Sequence, residues 1–162
     1  MKKLLSILLS VTLLLALAAC GGKTDTPAKE VPDLNQYYED FMAALGEDNA
    51  PAMIDVEANF IAQLYPGLET YSLKQSVLKT ALISMVAYEF VLVEAENAAD
   101  TQKVSEILQA RIDYQIENGA FYPMTLEAWE KAEVITQGNV VALICASDNQ
   151  AQAVEAFNKL FA

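Results

Sequence analysis

Few residues in this chain carry chemistry, and their types narrow it quickly. There are two cysteines and no histidine. Without histidine the chain lacks the commonest general base and the commonest metal ligand. A serine or cysteine triad of the usual kind is thereby excluded. Cys20 ends an apolar run, directly after Ala18 and Ala19. Cys145 lies inside Val140-Val141-Ala142-Leu143-Ile144-Cys145-Ala146, which reads as a buried strand. There a cysteine serves as a small hydrophobe, with a reactive thiol as the lesser alternative. Paired acids can cleave glycosides, but Glu94, Glu96, Asp100, Glu127, Glu130 and Glu133 stand at the spacing of an ordinary solvated face. The sequence contains no calcium loop, zinc spacing, phosphate loop or nucleophile elbow. No catalytic residue, metal site or cofactor follows from these residues.

Glu89 and Arg111 are placed differently. In an extended strand Glu89 points with Val91, Val93 and Ala95. On a helix Arg111 lies beside the stripe of Val104, Ile107, Leu108 and Ile112. Both charges sit at the edge of apolar faces that should meet. They are expected to form a partly buried pair that fixes the helix on the sheet; a ligand-binding arginine is the alternative. Tyr37, Tyr38, Tyr65, Tyr122 and Trp129 are expected in the core, an aromatic platform for sugar or peptide being the other reading. The apolar residues 81–85 form a docking edge if they are exposed.

The run that Cys20 ends has the parts of a secretory signal. Lys2 and Lys3 begin it, residues 4–19 carry no charge, and small residues close it. A spanning helix needs about 20 apolar residues, and Gly21-Gly22-Lys23 stops this run short. Leu17-Ala18-Ala19-Cys20 resembles the lipobox of bacterial lipoproteins. The resemblance implies cleavage between Ala19 and Cys20, a diacylglyceryl group on the Cys20 sulfur, and Cys20 as the mature N-terminus. It implies a protein held by lipid, palmitate for instance, on the outer face of the cell membrane. The alternative is an ordinary signal peptide or an uncleaved anchor. Two acyl chains hold a protein stably on a bilayer, where one holds it marginally.

Composition agrees with a lipid anchor. Ten basic and 22 acidic residues give a formal charge of −12. Loss of residues 1–19 removes Lys2 and Lys3 and no acid, which takes the charge from −12 to −14. Such a chain has no basic footprint for nucleic acid, and anionic lipid repels it. If Cys20 is acylated, Cys145 has no partner and no internal disulfide forms.

Along the chain, residues 20–33 are polar with Pro27 and Pro32 and read as a flexible tether. A coil of this length reaches roughly 20 Å. Residues 34–162 read as a single α+β domain, best defined from residue 54 on. Tyr37, Tyr38, Phe41 and Leu45 mark a short helix or an adhesive part of the tether. Ile54, Ala58, Ile61 and Leu64 lie on one helical stripe that Tyr65-Pro66-Gly67 stops. Residues 72–80 fit a strand or a helix. Residues 81–85 hold no Gly, Pro, Asn or Asp and make a poor turn by composition. Residues 86–95 predict a strand. Val104, Ile107, Leu108, Ile112 and Ile116 predict a helix that Asn118-Gly119 ends, and Thr125 is placed to cap a short helix through Trp129. Gly138-Asn139 between two β runs signals a hairpin. Ser147 with Gln150 predicts a capping box on the last helix. Two ββα units laid side by side then give a two-layer fold. Its sheet is four-stranded and largely antiparallel, with helices on one face.

From about Ile54 onward the chain also resembles a family of small Gram-positive bacterial lipoproteins, common in gut clostridia, whose domain has no known function. Leu64-Tyr65-Pro66-Gly67-Leu68, Ala87-Tyr88-Glu89-Phe90, Arg111 with Gln115, and Gly138-Asn139-Val140-Val141 carry the resemblance. It implies strand over helix for residues 72–80 and brings no activity, cofactor or catalytic residue. The functional expectation is a lipid-anchored, non-enzymatic module that binds an envelope protein or a small ligand. A carboxylate-based envelope hydrolase and an accessory subunit of a transport or secretion assembly are the alternatives.

Overall fold

The computed structural model describes residues 30–46 and 49–162. The signal segment 1–19, the Ala19–Cys20 junction and residues 20–29 of the tether lie outside the described residues. From Leu34 on, the described residues form five helices and one five-stranded antiparallel sheet. In chain order these are α1 Leu34–Leu45, β1 Met53–Asp55, α2 Ala58–Leu64, β2 Leu73–Ala81, β3 Tyr88–Ala95, α3 Thr101–Tyr114, α4 Pro123–Glu130, β4 Glu133–Gln137, β5 Val140–Ala146 and α5 Gln150–Lys159. The strand order is β1-β2-β3-β5-β4. No helix among the described residues is long and apolar enough to cross a membrane.

The class is α+β as the sequence predicts, but the four-stranded, two-layer arrangement is not what forms. The fifth strand is β1, whose Ile54 pairs with Thr80. Ile54 therefore stands on an edge strand, and the helix begins only at Ala58. Three residues of edge strand are too short to show alternation, so the helical stripe absorbed Ile54.

Helices cover both faces of the sheet. β3 and β5 are buried along their whole length, and alternate residues divide between two cores. Phe90, Leu92, Val140, Ala142 and Ile144 meet α1 and α5 through Tyr37, Phe41, Ala153 and Phe157. Val91, Val93, Val141, Leu143 and Cys145 meet the other layer through Tyr65, Val104, Leu108, Ile112 and Trp129. A strand with water on neither face reads as a continuous apolar run instead of an alternating one. The run over Val140–Ala146 has that character, and it requires a cover on each side. The two ββα units accordingly send their helices opposite ways, α3 to one face and α5 to the other.

Local signals resolve the open points. Residues 72–80 resolve as strand, in β2 from Leu73 on. α1 is an ordered helix: Asp33 caps it by accepting from the Asn35 and Gln36 N–H groups at 2.9 and 3.0 Å, and the Tyr37 hydroxyl donates to the Ala153 carbonyl at 2.9 Å. Gly138, at φ 58, makes the tight turn of the β4–β5 hairpin. The chain does turn over residues 82–87, despite their apolar composition, because β2 and β3 pair antiparallel and the reversal has to come there. Thr125 is no cap; Pro123 opens α4 and Thr125 donates back to the Tyr122 carbonyl.

The expected capping box does not form either. Gln150 accepts from the Ala146 N–H at 2.9 Å and donates to the Ile144 carbonyl at 3.0 Å, and the Ser147 side chain takes no part. Gln150 is buried, so its loss strands two backbone groups. Gln150→Ala is expected to cost about 1–3 kcal/mol in urea unfolding, while Ser147→Ala stays within about 0.5 kcal/mol. The opposite order contradicts this assignment.

Candidate functional site

The expected pair forms, and it is the centre of a larger cluster. Glu89 is on β3, on the face that carries Val91 and Val93 into the α3 layer. Arg111 is in the last full turn of α3. Arg111 Nε donates to Glu89 Oε1 at 2.9 Å and Nη2 to Glu89 Oε2 at 2.8 Å. This is the parallel two-bond geometry for which a planar guanidinium suits a carboxylate better than an ammonium does. Glu89 is 1% exposed and Arg111 9%. The Tyr65 hydroxyl donates to Glu89 Oε1 at 2.8 Å. The guanidinium carbon lies 5.8 Å from the Tyr65 ring centre and 5.6 Å from that of Trp129, close enough for cation–π attraction to both.

Helix α3 ends in a π-helical turn over Gln115–Gly119. Such turns widen a helix by one residue and recur at functional sites. Here the turn lays Gln115 against Arg111. With its carboxamide oxygen toward the guanidinium, Gln115 accepts from Nη1 at 2.8 Å and from Nη2 at 2.9 Å. Gly119 makes room for it: a Cβ there would stand 2.7 Å from Gln115 Cδ.

Electrostatics follow from this packing. Burial works against the Arg111 charge, but the hydrogen bonds and charge of Glu89 outweigh it and hold its pKa above the ordinary arginine value. Burial first, and then the Glu89 charge, push the Tyr65 hydroxyl up. Cys145 is opposite Glu89 in the β3–β5 register and has no exposed surface. Burial, reinforced by Glu89, pushes its thiol up to about 12. It is a small buried hydrophobe, not a nucleophile.

A pocket of about 300 Å³ opens over this cluster. Glu89, Arg111, Gln115 and Trp129 line its inner part; Leu82, Ile83 and Ser84 from the β2–β3 turn, with Gly119 and Ala120, line the outer part. Leu82, Ile83 and Met85 are more than half exposed, so the apolar edge expected at residues 81–85 does face solvent. Glu89 is the sole carboxylate in the pocket lining. Glu127 and Glu155 instead pair across a helical turn with Lys131 and Lys159.

The five aromatic residues are not brought together. Tyr37 and Tyr38 pack in the opposite core against Phe157 and Phe90, Tyr122 is half exposed, and Tyr65 and Trp129 stand at the pair. What sequence reasoning missed is the company Arg111 keeps. Arg111 is the only arginine and Trp129 the only tryptophan in the chain, and Gln115 follows Arg111 at the spacing that faces it on a helix.

A protein-family model described as Domain of unknown function (DUF4358) matches residues 45–146. The match runs from the last residue of α1 to the last of β5 and includes every residue of the cluster. The chain matches no curated protein and no solved structure.

Arg111→Met leaves a buried carboxylate uncompensated and is expected to cost about 3–5 kcal/mol. Adding Glu89→Gln removes that charge and restores part of the loss. An unchanged melting temperature in Arg111→Met contradicts the pair. Alkali provides a second check. Tyr65 and Cys145 keep their protons in the fold above the pH at which the unfolded chain releases them, with the Cys145 thiol held from 9.0 up to about 12. The unfolded state then binds fewer protons, so stability falls as pH rises through that window. Urea midpoints at pH 7, 9 and 10.5 should decline in that order, with Cys145 unreactive to iodoacetamide at pH 8 until the protein unfolds.

Proposed function

The chain belongs to the DUF4358 family, and from that premise we propose that it is a membrane-anchored, extracytoplasmic lipoprotein whose domain works as a non-enzymatic binding module. The anchor is Cys20, acylated after cleavage behind Ala19, and the support for it is the sequence Leu17-Ala18-Ala19-Cys20 at the end of an uncharged run. With a formal charge of −12 the chain is repelled by anionic lipid, so the acyl chains do the holding.

The observation that carries the binding reading is the state of the pocket floor. A general acid or base has to be free to reach the reacting atom. Here both oxygens of the carboxylate are engaged by Arg111 and Tyr65, and the thiol behind it is fully buried. Fixed charges in a preformed pocket suit recognition. The chain enters the domain away from the pocket: Pro32 and Leu34 hydrogen-bond to Gln75 at the start of β2, whereas the pocket lies at the other end of that strand, at Thr80 and Ala81.

Cys20→Ser is the test of the anchor. The wild-type chain should fractionate with membranes and incorporate labelled palmitate, and the variant should lose both. Unchanged membrane retention in the variant contradicts the lipoprotein reading.

A further inference from the structure

We infer that the pocket takes an uncharged carbonyl group on an apolar body, as in the amide of a blocked or apolar peptide. This ligand class rests on the binding reading above and narrows it to one chemistry.

Two donor N–H groups on residues that line the pocket have no partner among the described residues. A guanidinium has five N–H groups. Glu89 takes two of those on Arg111 and Gln115 takes two, which leaves one on Nη1. The Trp129 indole is the second donor. It is 5% exposed, and its N–H donates to nothing among the described residues. Among those residues no fully buried side-chain nitrogen or oxygen lacks a partner. The indole N–H therefore reaches solvent, and Trp129 is among the residues that line the pocket. The guanidinium and the indole ring are neighbours, 5.6 Å apart. An occupant displaces the water at these donors, and one that offers no acceptor leaves them unpaired, so an occupant that supplies an acceptor oxygen is favoured there.

Charge selects among acceptors. Arg111 and Glu89 neutralise each other, so the floor has no net charge for an anion. Residues 80–88 and 118–126, which frame the pocket, carry no charge at all, and the chain around them is acidic. A carboxylate or phosphate would meet repulsion without a compensating cation. A cation would find the Glu89 oxygens already engaged by Arg111 and Tyr65. A neutral carbonyl oxygen has neither difficulty.

The surroundings select the rest of the ligand. Leu82 and Ile83 are each 58% exposed at the mouth. Met85 and Met124, 56% and 68% exposed, line an adjoining depression. Phe121, at 87%, follows Ala120 of the pocket wall. Flexible Met and aromatic surface of this kind receives apolar groups of varied shape.

Because Trp129 is the only tryptophan, the indole N–H gives a single signal in a proton–nitrogen correlation spectrum. The full chain in detergent micelles is titrated with N-acetyl-leucyl-leucine amide, with the same dipeptide as a free acid, and with N-methylacetamide. The amide should move the indole signal saturably, and the free acid should bind about tenfold more weakly. Leu82→Ser with Ile83→Ser, both exposed and so safe for folding, decides the source. If it weakens the dipeptide amide about tenfold but not N-methylacetamide, the ligand is an apolar peptide. If both bind equally in wild type and variant, the class stands and its source is a small amide. A free acid that binds as tightly as the amide overturns the ligand class and leaves a binding pocket. An indole signal that none of the three moves overturns the inference, while the fractionation of Cys20→Ser still decides the anchor.

Discussion

A carboxylate on a strand that sees water on neither face has to be neutralised from within the protein. Glu89 is in that position, and the Arg111 guanidinium meets it with two parallel hydrogen bonds. That interaction couples parts of the chain that are otherwise only packed together. It ties α3 to β3, draws the Tyr65 hydroxyl in from the turn after α2, and sets the guanidinium beside Trp129 of α4. Apolar packing alone would allow α3 to slide on the sheet, because one leucine or valine contact is much like the next. A bidentate ion pair has a single register.

The same pair sets the character of the pocket. Its charges cancel, so the pocket above it is polar yet neutral. The π-helical turn that ends α3 brings Gln115 to the remaining edge of the guanidinium, and Gly119 leaves the space it needs. Around this floor the chain has placed two loops without a charged residue, in a protein that carries 22 acids. The DUF4358 match covers this whole arrangement and stops short of α1 and α5, apart from the end residue of α1. The layer those helices form supports the sheet from the face opposite the pocket.

Much of this was legible in the residues. Glu89 and Arg111 stood out because each interrupts an apolar face, and a charge on such a face needs a partner. The β4–β5 hairpin was legible in Gly138-Asn139, where a positive φ is required. Other features were not. Strand β1 is too short to carry a period, and Ile54 happened to continue a helical stripe. The second helical layer was hidden because a fully buried strand gives one apolar run, whichever face is considered. Gln150 matched a capping box by spacing, but its carboxamide reaches the strand end instead. The role of Trp129 depends on the π turn and on α4 packing against that turn and β5, and neither leaves a local pattern in sequence.

Arg111 is the only arginine, so its side-chain signals in a proton–nitrogen correlation spectrum are free of overlap. A guanidinium fixed by Glu89 and Gln115 cannot rotate readily about its Cζ–N bonds. The account predicts separate, slowly exchanging Nη–H resonances for Arg111 at neutral pH and room temperature, alongside a protected Nε–H. A single averaged Nη signal in fast exchange with water would contradict a buried, bidentate Glu89–Arg111 pair.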